Sequence, residues 1–207
     1  MFIGTYHIIR ALLLFIVFSF IFIKANKFRT NNKKVINILL VIAFFVSVSF
    51  SNILPVENLF ITFKTPESVF EYILSGEILD VVHGNNSSMV IYSNGNARSR
   101  ITIPKTENGY KISNGFDEKR IFHKFDEDGD FKVYNIRGTS DYYISAIVVS
   151  TENEINIFDS NREEVNHYIE IIPQTSTKII RINHFVEGFT NDYYLLINDK
   201  KVYVAKR

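Results

Sequence analysis

Two long apolar stretches open the chain, and a short-period alternation of apolar and polar residues fills the rest. The first stretch, "FIGTYHIIRALLLFIVFSFIFI", covers Phe2 to Ile23, and the second, "VINILLVIAFFVSVSFSNIL", covers Val35 to Leu54. Helices about 20 residues long cross a hydrocarbon core of about 30 Å, so the pattern predicts membrane spans over about 2–23 and 35–54. The first must carry His7 and Arg10. A central Arg costs about 2.5 to 3.5 kcal/mol on insertion scales, and each Leu, Ile, Phe or Val returns about 0.3 to 0.6. Ala11 to Ile23 holds eleven such residues, which outweigh the one Arg.

After Pro55 the period changes twice. "TPESVFEYIL" places Thr65 as an N-cap, Pro66 at the first helical position, and Val69, Phe70, Ile73 and Leu74 on one face, with Gly76 to end the turn. This predicts a helix of roughly ten residues packed on a sheet. Beyond it come short β-branched or aromatic runs: "EILDVVH", "SMVIYS", "ARSRITIP", "RIFHKF", "FKVYNIR", "DYYISAIVVS", "EINIF", "NHYIEIIP", "TKIIRINHF", "DYYLLIN" and "KVYVA". Gly, Asn and Asp turns such as "SNGNA" and "DEDGD" separate them, which predicts antiparallel strands in a sandwich, barrel or meander. The expected fold class is therefore a membrane protein: a two-helix transmembrane hairpin, 1–56, followed by a mainly antiparallel β domain, 57–207, with one short α-helix.

Charge supplies an orientation. The 207 residues carry a formal net charge of +1, but Arg10, Lys24, Lys27, Arg29, Lys33 and Lys34 precede Val35 without any acidic residue. Taking those six from 23 basic residues leaves 17 against 22 acidic ones, or −5, for 35–207. Basic short loops stay on the cytoplasmic side. The connector 24–34 is then cytoplasmic, and the N-terminus and C-terminal domain lie outside in a two-pass cell-membrane protein. The lipid bilayer is the first expected partner. The acidic balance argues against anionic wall polymers or nucleic acid bound through bulk electrostatics, and the lack of cysteine excludes disulfides and thiolate chemistry.

Candidate chemistry is sparse. Asp126, Asp128 and Asp130 alternate in "DEDGDF", but an EF-hand loop needs Gly at its sixth position and Glu at its twelfth, where Phe131 and Arg137 stand. A tight hairpin turn accounts for them better. His83, His123, His167 and His184 occur singly, without zinc-ligand spacing. No G-x-S-x-G, S-x-x-K or phosphate-binding glycine motif occurs, and the adjacent Glu163 and Glu164 read as a solvated turn. Arg98 and Arg100 read as the wet face of one strand. No catalytic, cofactor-binding or metal residue is assigned, no cofactor is expected, and the chain reads as a non-enzyme.

Two sets of residues remain as candidate contacts. "GTSDYYISAIVVSTENEINIF" from Gly138 and "GFTNDYYLLINDKKVYVAK" from Gly188 share an Asp-Tyr-Tyr step between a turn and a strand, which predicts a duplicated three-strand meander with one Tyr of each pair inward. The sharper reading makes Tyr142, Tyr143, Tyr193 and Tyr194 an aromatic binding surface for a glycan or peptide. His7 and Arg10 are a candidate intramembrane contact.

The runs "TPESVFEYILSGEILDVVHGNNSSMVIYSNGNA", "IPKTENGYKI" and "TSDYYISAIVVSTENEINIFDSN" together resemble uncharacterised small membrane-anchored proteins of low-GC Gram-positive bacteria. That resemblance implies a bacterial cell-membrane location and a compact β-rich outer domain, and it carries no functional residues. The expected function is a membrane-anchored extracytoplasmic binding or accessory protein of the cell envelope, with an envelope protein, peptide or glycan as partner. The alternatives are a small subunit of a transporter or sensor acting through the hairpin, and an envelope hydrolase, which a pocket joining a histidine to a carboxylate would favour.

Overall fold

The computed structural model describes residues 5–27, 33–53, 55–95, 97–114 and 116–205, with side chains for all of these except 5–9, 26, 33, 51–53 and 56. Helices α1, Thr5–Lys27, and α2, Lys33–Ile53, pack against each other, with Phe15 and Phe18 edge-on to the Phe44 ring at 6.5 and 5.4 Å. Their outer faces leave Leu13, Phe20, Ile38 and Phe45 exposed. An apolar surface this continuous marks a face that interacts with something.

The membrane reading is corrected here. Among the described residues no helix is long and apolar enough to cross a membrane. The spans 2–23 and 35–54, the transmembrane hairpin they form and the two-pass cell-membrane placement with an extracytoplasmic domain are therefore not supported. Arg10 is tied to the rest of the chain: its Nε and Nη2 donate to both carboxylate oxygens of Glu57 at 2.5 Å, and its side chain is buried. Residues 1–4 and 28–32 and the His7 side chain lie outside the described residues, and with them the middle of the expected loop 24–34.

A single 3-10 turn, Val56–Leu59, leads into the β domain. Asn58 fastens it by donating to the Ile112 carbonyl and accepting from the Ile112 amide, both at 2.8 Å. Helix α3, Pro66–Ile73, starts as the sequence predicts: Thr65 accepts from the Ser68 amide, Ser68 answers as a capping box, and Val69, Phe70 and Ile73 are buried. It is eight residues long, because Leu74 already turns to extended backbone.

Among the described residues twelve strands follow in three antiparallel sheets. The first sheet has the order β1 (Glu77–His83), β2 (Ser87–Asn94), β3 (Ala97–Thr106) and β4 (Gly109–Tyr110). The second runs β5 (Glu118–Asp126), β6 (Gly129–Ile136), β7 (Asp141–Ser150), β10 (Lys178–Glu187) and β9 (His167–Ile171). The third is β12 (Lys200–Tyr203), β11 (Tyr194–Ile197) and β8 (Ile157–Phe158). The antiparallel sheets and most strand positions follow the alternation read from the sequence. The duplicated meander does not form: β7 pairs with β10 along ten residues, whereas β11 pairs with β12 and β8.

The layers stack as α3, first sheet, second sheet, third sheet. Val90 and Ile103 face α3, and Met89 and Ile91, on the opposite face of β2, meet Ile136 and Tyr143 of the second sheet. The other face of the second sheet, with Phe131, Val133, Ile144, Ile180 and Ile182, packs on Ile157, Leu195 and Val202 of the third. The apolar seal between the first two sheets is therefore confined to one end, and the other end stays open.

Candidate functional site: a polar cleft between two sheets

The closed end is a buried hydrogen-bond latch. Asp141, fully buried at the start of β7, accepts from the Asn86 amide at 2.8 Å, the Asn86 side-chain amide at 3.3 Å and the Ser87 hydroxyl at 2.7 Å. The Tyr143 hydroxyl lies 2.9 Å from Ser87 Oγ, and burial pushes that phenol well above its ordinary range. A Cβ on Gly84 would sit 2.6 Å from that hydroxyl and 2.7 Å from Asp141 Oδ2, so only glycine lets the β1–β2 turn approach.

From this latch the two sheets diverge, and alternation along β3 aims Arg98, Arg100 and Thr102 across the gap while Ile101 and Ile103 point at α3. Arg100 bridges to the second sheet: Nη1 and Nη2 donate to Glu118 at 2.7 and 2.9 Å, Thr102 donates to the same carboxylate, and the guanidinium carbon sits 3.3 Å from the Tyr134 ring centre. Burial acting alone would raise the Glu118 carboxyl, but the Arg100 fork and the Thr102 hydroxyl more than offset it and hold it below the ordinary range.

Outward of that bridge lie two adjoining cavities of about 380 and 400 Å³ that share Ile91, Arg98, Arg181 and Asn183. The outer one adds Leu79, Asp80, Asn166, His167 and Tyr168 from the edge strands, and the inner one adds Lys132, Tyr134 and Ser145. Arg98 stacks on the Tyr168 ring at 4.2 Å and has no ion pair among the described residues. Arg181 has one Nε contact of 3.4 Å to Glu170, and its terminal nitrogens are open. The side chains of Asn166, Asn183 and Ser145 also make no hydrogen bond among the described residues. His167 Nδ1 lies 3.0 Å from the Val165 carbonyl, an acceptor only, so the neutral ring presents an Nε2 lone pair. Unengaged donors around an open cavity are what ligand recognition requires.

The residues singled out from sequence fall elsewhere. Tyr143 and Tyr193 are buried, Tyr142 packs on Phe189 at 5.9 Å, and Tyr194 packs on Tyr203 at 5.8 Å under the Lys201 ammonium. They do not share one surface. Arg10 meets Glu57 of its own chain. Asp126, Asp128 and Asp130 pair with Lys124, Lys200 and Lys132 around the β5–β6 hairpin, and His123 donates to Asp130. His184, half-buried, lies 4.0 Å from the buried Asp159. Arg98 is exposed, as expected of a wet strand face, and that face lines the cleft, whereas Arg100 on the same face is half-buried in the bridge to Glu118. Arg181 and Asn183 carried no sequence signal and His167 stood only among four single histidines, since only the pairing of β10 with β7 and β9 brings them to β3.

Comparison with protein-family models, curated proteins and solved structures finds no match.

Proposed function

We propose that the protein is a non-catalytic binding or accessory module whose inter-sheet cleft takes an anionic group of a peptide, glycan or protein partner. The observation that carries this reading is the pair Arg98 and Arg181: two guanidiniums line the same open cavity, one without an ion pair among the described residues and the other held by one long contact. Guanidinium forks favour planar carboxylates and phosphates. Titration of the full chain with citrate, inorganic phosphate, an acidic dipeptide and a uronic-acid saccharide, followed by calorimetry, tests it. At least one anion should bind saturably, and Arg98→Gln with Arg181→Gln should abolish that binding while the far-UV spectrum is unchanged. Saturable binding indifferent to both substitutions, or none by any of the four anions, would refute it.

A hydrolase is the second reading, because His167 and Asp80 line one cavity. No hydrogen bond joins them among the described residues, and the lining of that cavity offers no serine or threonine. Recognition thus accounts for the geometry with fewer assumptions than a nucleophile and its base.

A further inference from the structure

Within that anion-binding reading, on which it rests, we infer that the outer cavity is a subsite for a uronic-acid residue of a saccharide. The argument starts from charge. Arg98 and Arg181 share the cavity with the carboxylate of Asp80, and Glu170 touches Arg181 Nε at 3.4 Å, so the surroundings carry little net positive charge and suit a monoanion at most. A phosphate dianion would be overcharged there and set against Asp80 and Glu170, whereas one carboxylate can take the Arg98 guanidinium, unpaired among the described residues, and the terminal nitrogens of Arg181 with less repulsion.

The rest of the lining asks for hydroxyls. Asp80 Oδ1 is already taken by the Val81 amide at 2.8 Å, and Oδ2 remains as an acceptor that needs a donor from the ligand. His167 Nε2 is a second such acceptor. Asn166 and Asn183 each present a donor pair and an acceptor. Acceptors and donors interleaved in this way match a ring of hydroxyl groups, each of which does both. An acidic peptide brings its carboxylates but few hydroxyl donors, and the cavity offers it only Leu79 and Ile91 as aliphatic wall. The volume of about 380 Å³ falls in the range of ligand sites, about 300 to 1,000 Å³. The inner cavity, with Ser145 and Tyr134, continues the polar wall for a neighbouring sugar. Asp80 acts in this scheme as the specificity residue: it accepts from hydroxyls and repels a second negative charge.

The full chain is titrated calorimetrically with a glucuronic-acid disaccharide, the same disaccharide with its carboxyl reduced to an alcohol, glucose 6-phosphate and an acidic dipeptide. The acid should bind about tenfold or more tightly than its reduced form, and above the other two probes. Arg98→Gln should lower the acid's affinity about tenfold. Asp80→Asn, which keeps an oxygen for the Val81 amide, should narrow the preference for the uronide over glucose 6-phosphate by about fivefold or more. Equal binding of acid and reduced forms overturns the inference, as does an unchanged preference in Asp80→Asn. Tighter binding of the phosphate or the dipeptide, lost with Arg98→Gln, overturns the saccharide assignment and leaves the anion cleft standing. Absence of binding by every anion removes both.

Discussion

Replacing Glu118 by Gln tests whether the sheets are held part-way along the cleft by charge. The substitution keeps the shape and one acceptor but removes the negative charge that receives both Arg100 nitrogens and the Thr102 hydroxyl. Exposed ion pairs are worth about 0 to 1 kcal/mol, and breaking one side of a buried pair costs about 3 to 5. The Arg100 and Glu118 side chains are 20 and 28% exposed, so the pair sits between those limits. A loss of about 2 kcal/mol is expected, or about 4 to 8 °C in Tm for a domain of this size. The pH dependence supplies the sign. The folded-state pKa of Glu118 lies below its ordinary value, so its contribution is complete above the ordinary glutamate range. It is lost as pH falls through the depressed folded value. The stability gap between wild type and Glu118→Gln, measured by urea unfolding, should therefore be widest near neutrality and close in acid. A loss below about 0.5 kcal/mol near neutral pH, or a gap constant down to about pH 2, would refute the reasoning.

Other substitutions probe the ends of the fold. Asp141→Ala should cost about 3 to 5 kcal/mol by denaturant unfolding, because three donors around a fully buried carboxylate lose their acceptor. Gly84→Ala should destabilise by more than about 1 kcal/mol in the same assay, since its methyl would fall within 2.9 Å of three side chains. Tyr193→Phe should be neutral or stabilising by up to about 1 kcal/mol, because the buried hydroxyl has no hydrogen-bond partner among the described residues. Burial holds His184 below its ordinary pKa against the pull of Asp159 and Glu163. Its neutral form is favoured in the fold, stability falls as pH drops below the ordinary histidine range, and His184→Gln should flatten that fall between about pH 7 and about pH 5.

Local chemistry was legible in the sequence, and distant pairing was not. Thr65, Pro66 and the apolar face at Val69, Phe70 and Ile73 specify α3 through contacts within eight residues. The β5–β6 hairpin turns at Glu127 and Asp128, as "DEDGD" predicts, with Gly129 at φ 143. The equivalent Asp-Tyr-Tyr steps predict equivalent pairings, yet β7 finds β10 and β11 finds β8, choices fixed by which apolar faces must be covered rather than by either segment alone. The two apolar runs form helices, but among the described residues neither meets the length and apolarity of a membrane span. Arg98 was visible as an arginine on an alternating strand. Its role was not, because the side chains it faces lie about seventy to eighty-five residues downstream and reach it only through the sheet order.

The two ends of the gap also explain each other. A wedge between sheets exposes polar groups that a filled interior would exclude, and unpaired amides and guanidiniums contribute little to stability when water solvates them. Apolar residues continued across Ser145, Asn183 and Arg181 would close the gap and add burial. The chain instead concentrates its seal in Met89, Ile91, Ile136 and Tyr143 and its polar latch in Asp141 and Ser87, at one end only. Arg100 and Glu118 then span the divergence part-way along, fixing its width while leaving Arg98 outward of the bridge. Rigid spacing with unengaged donors beyond it costs stability and lowers the reorganisation needed to bind, which is the combination a recognition site favours and a purely structural interface would lose.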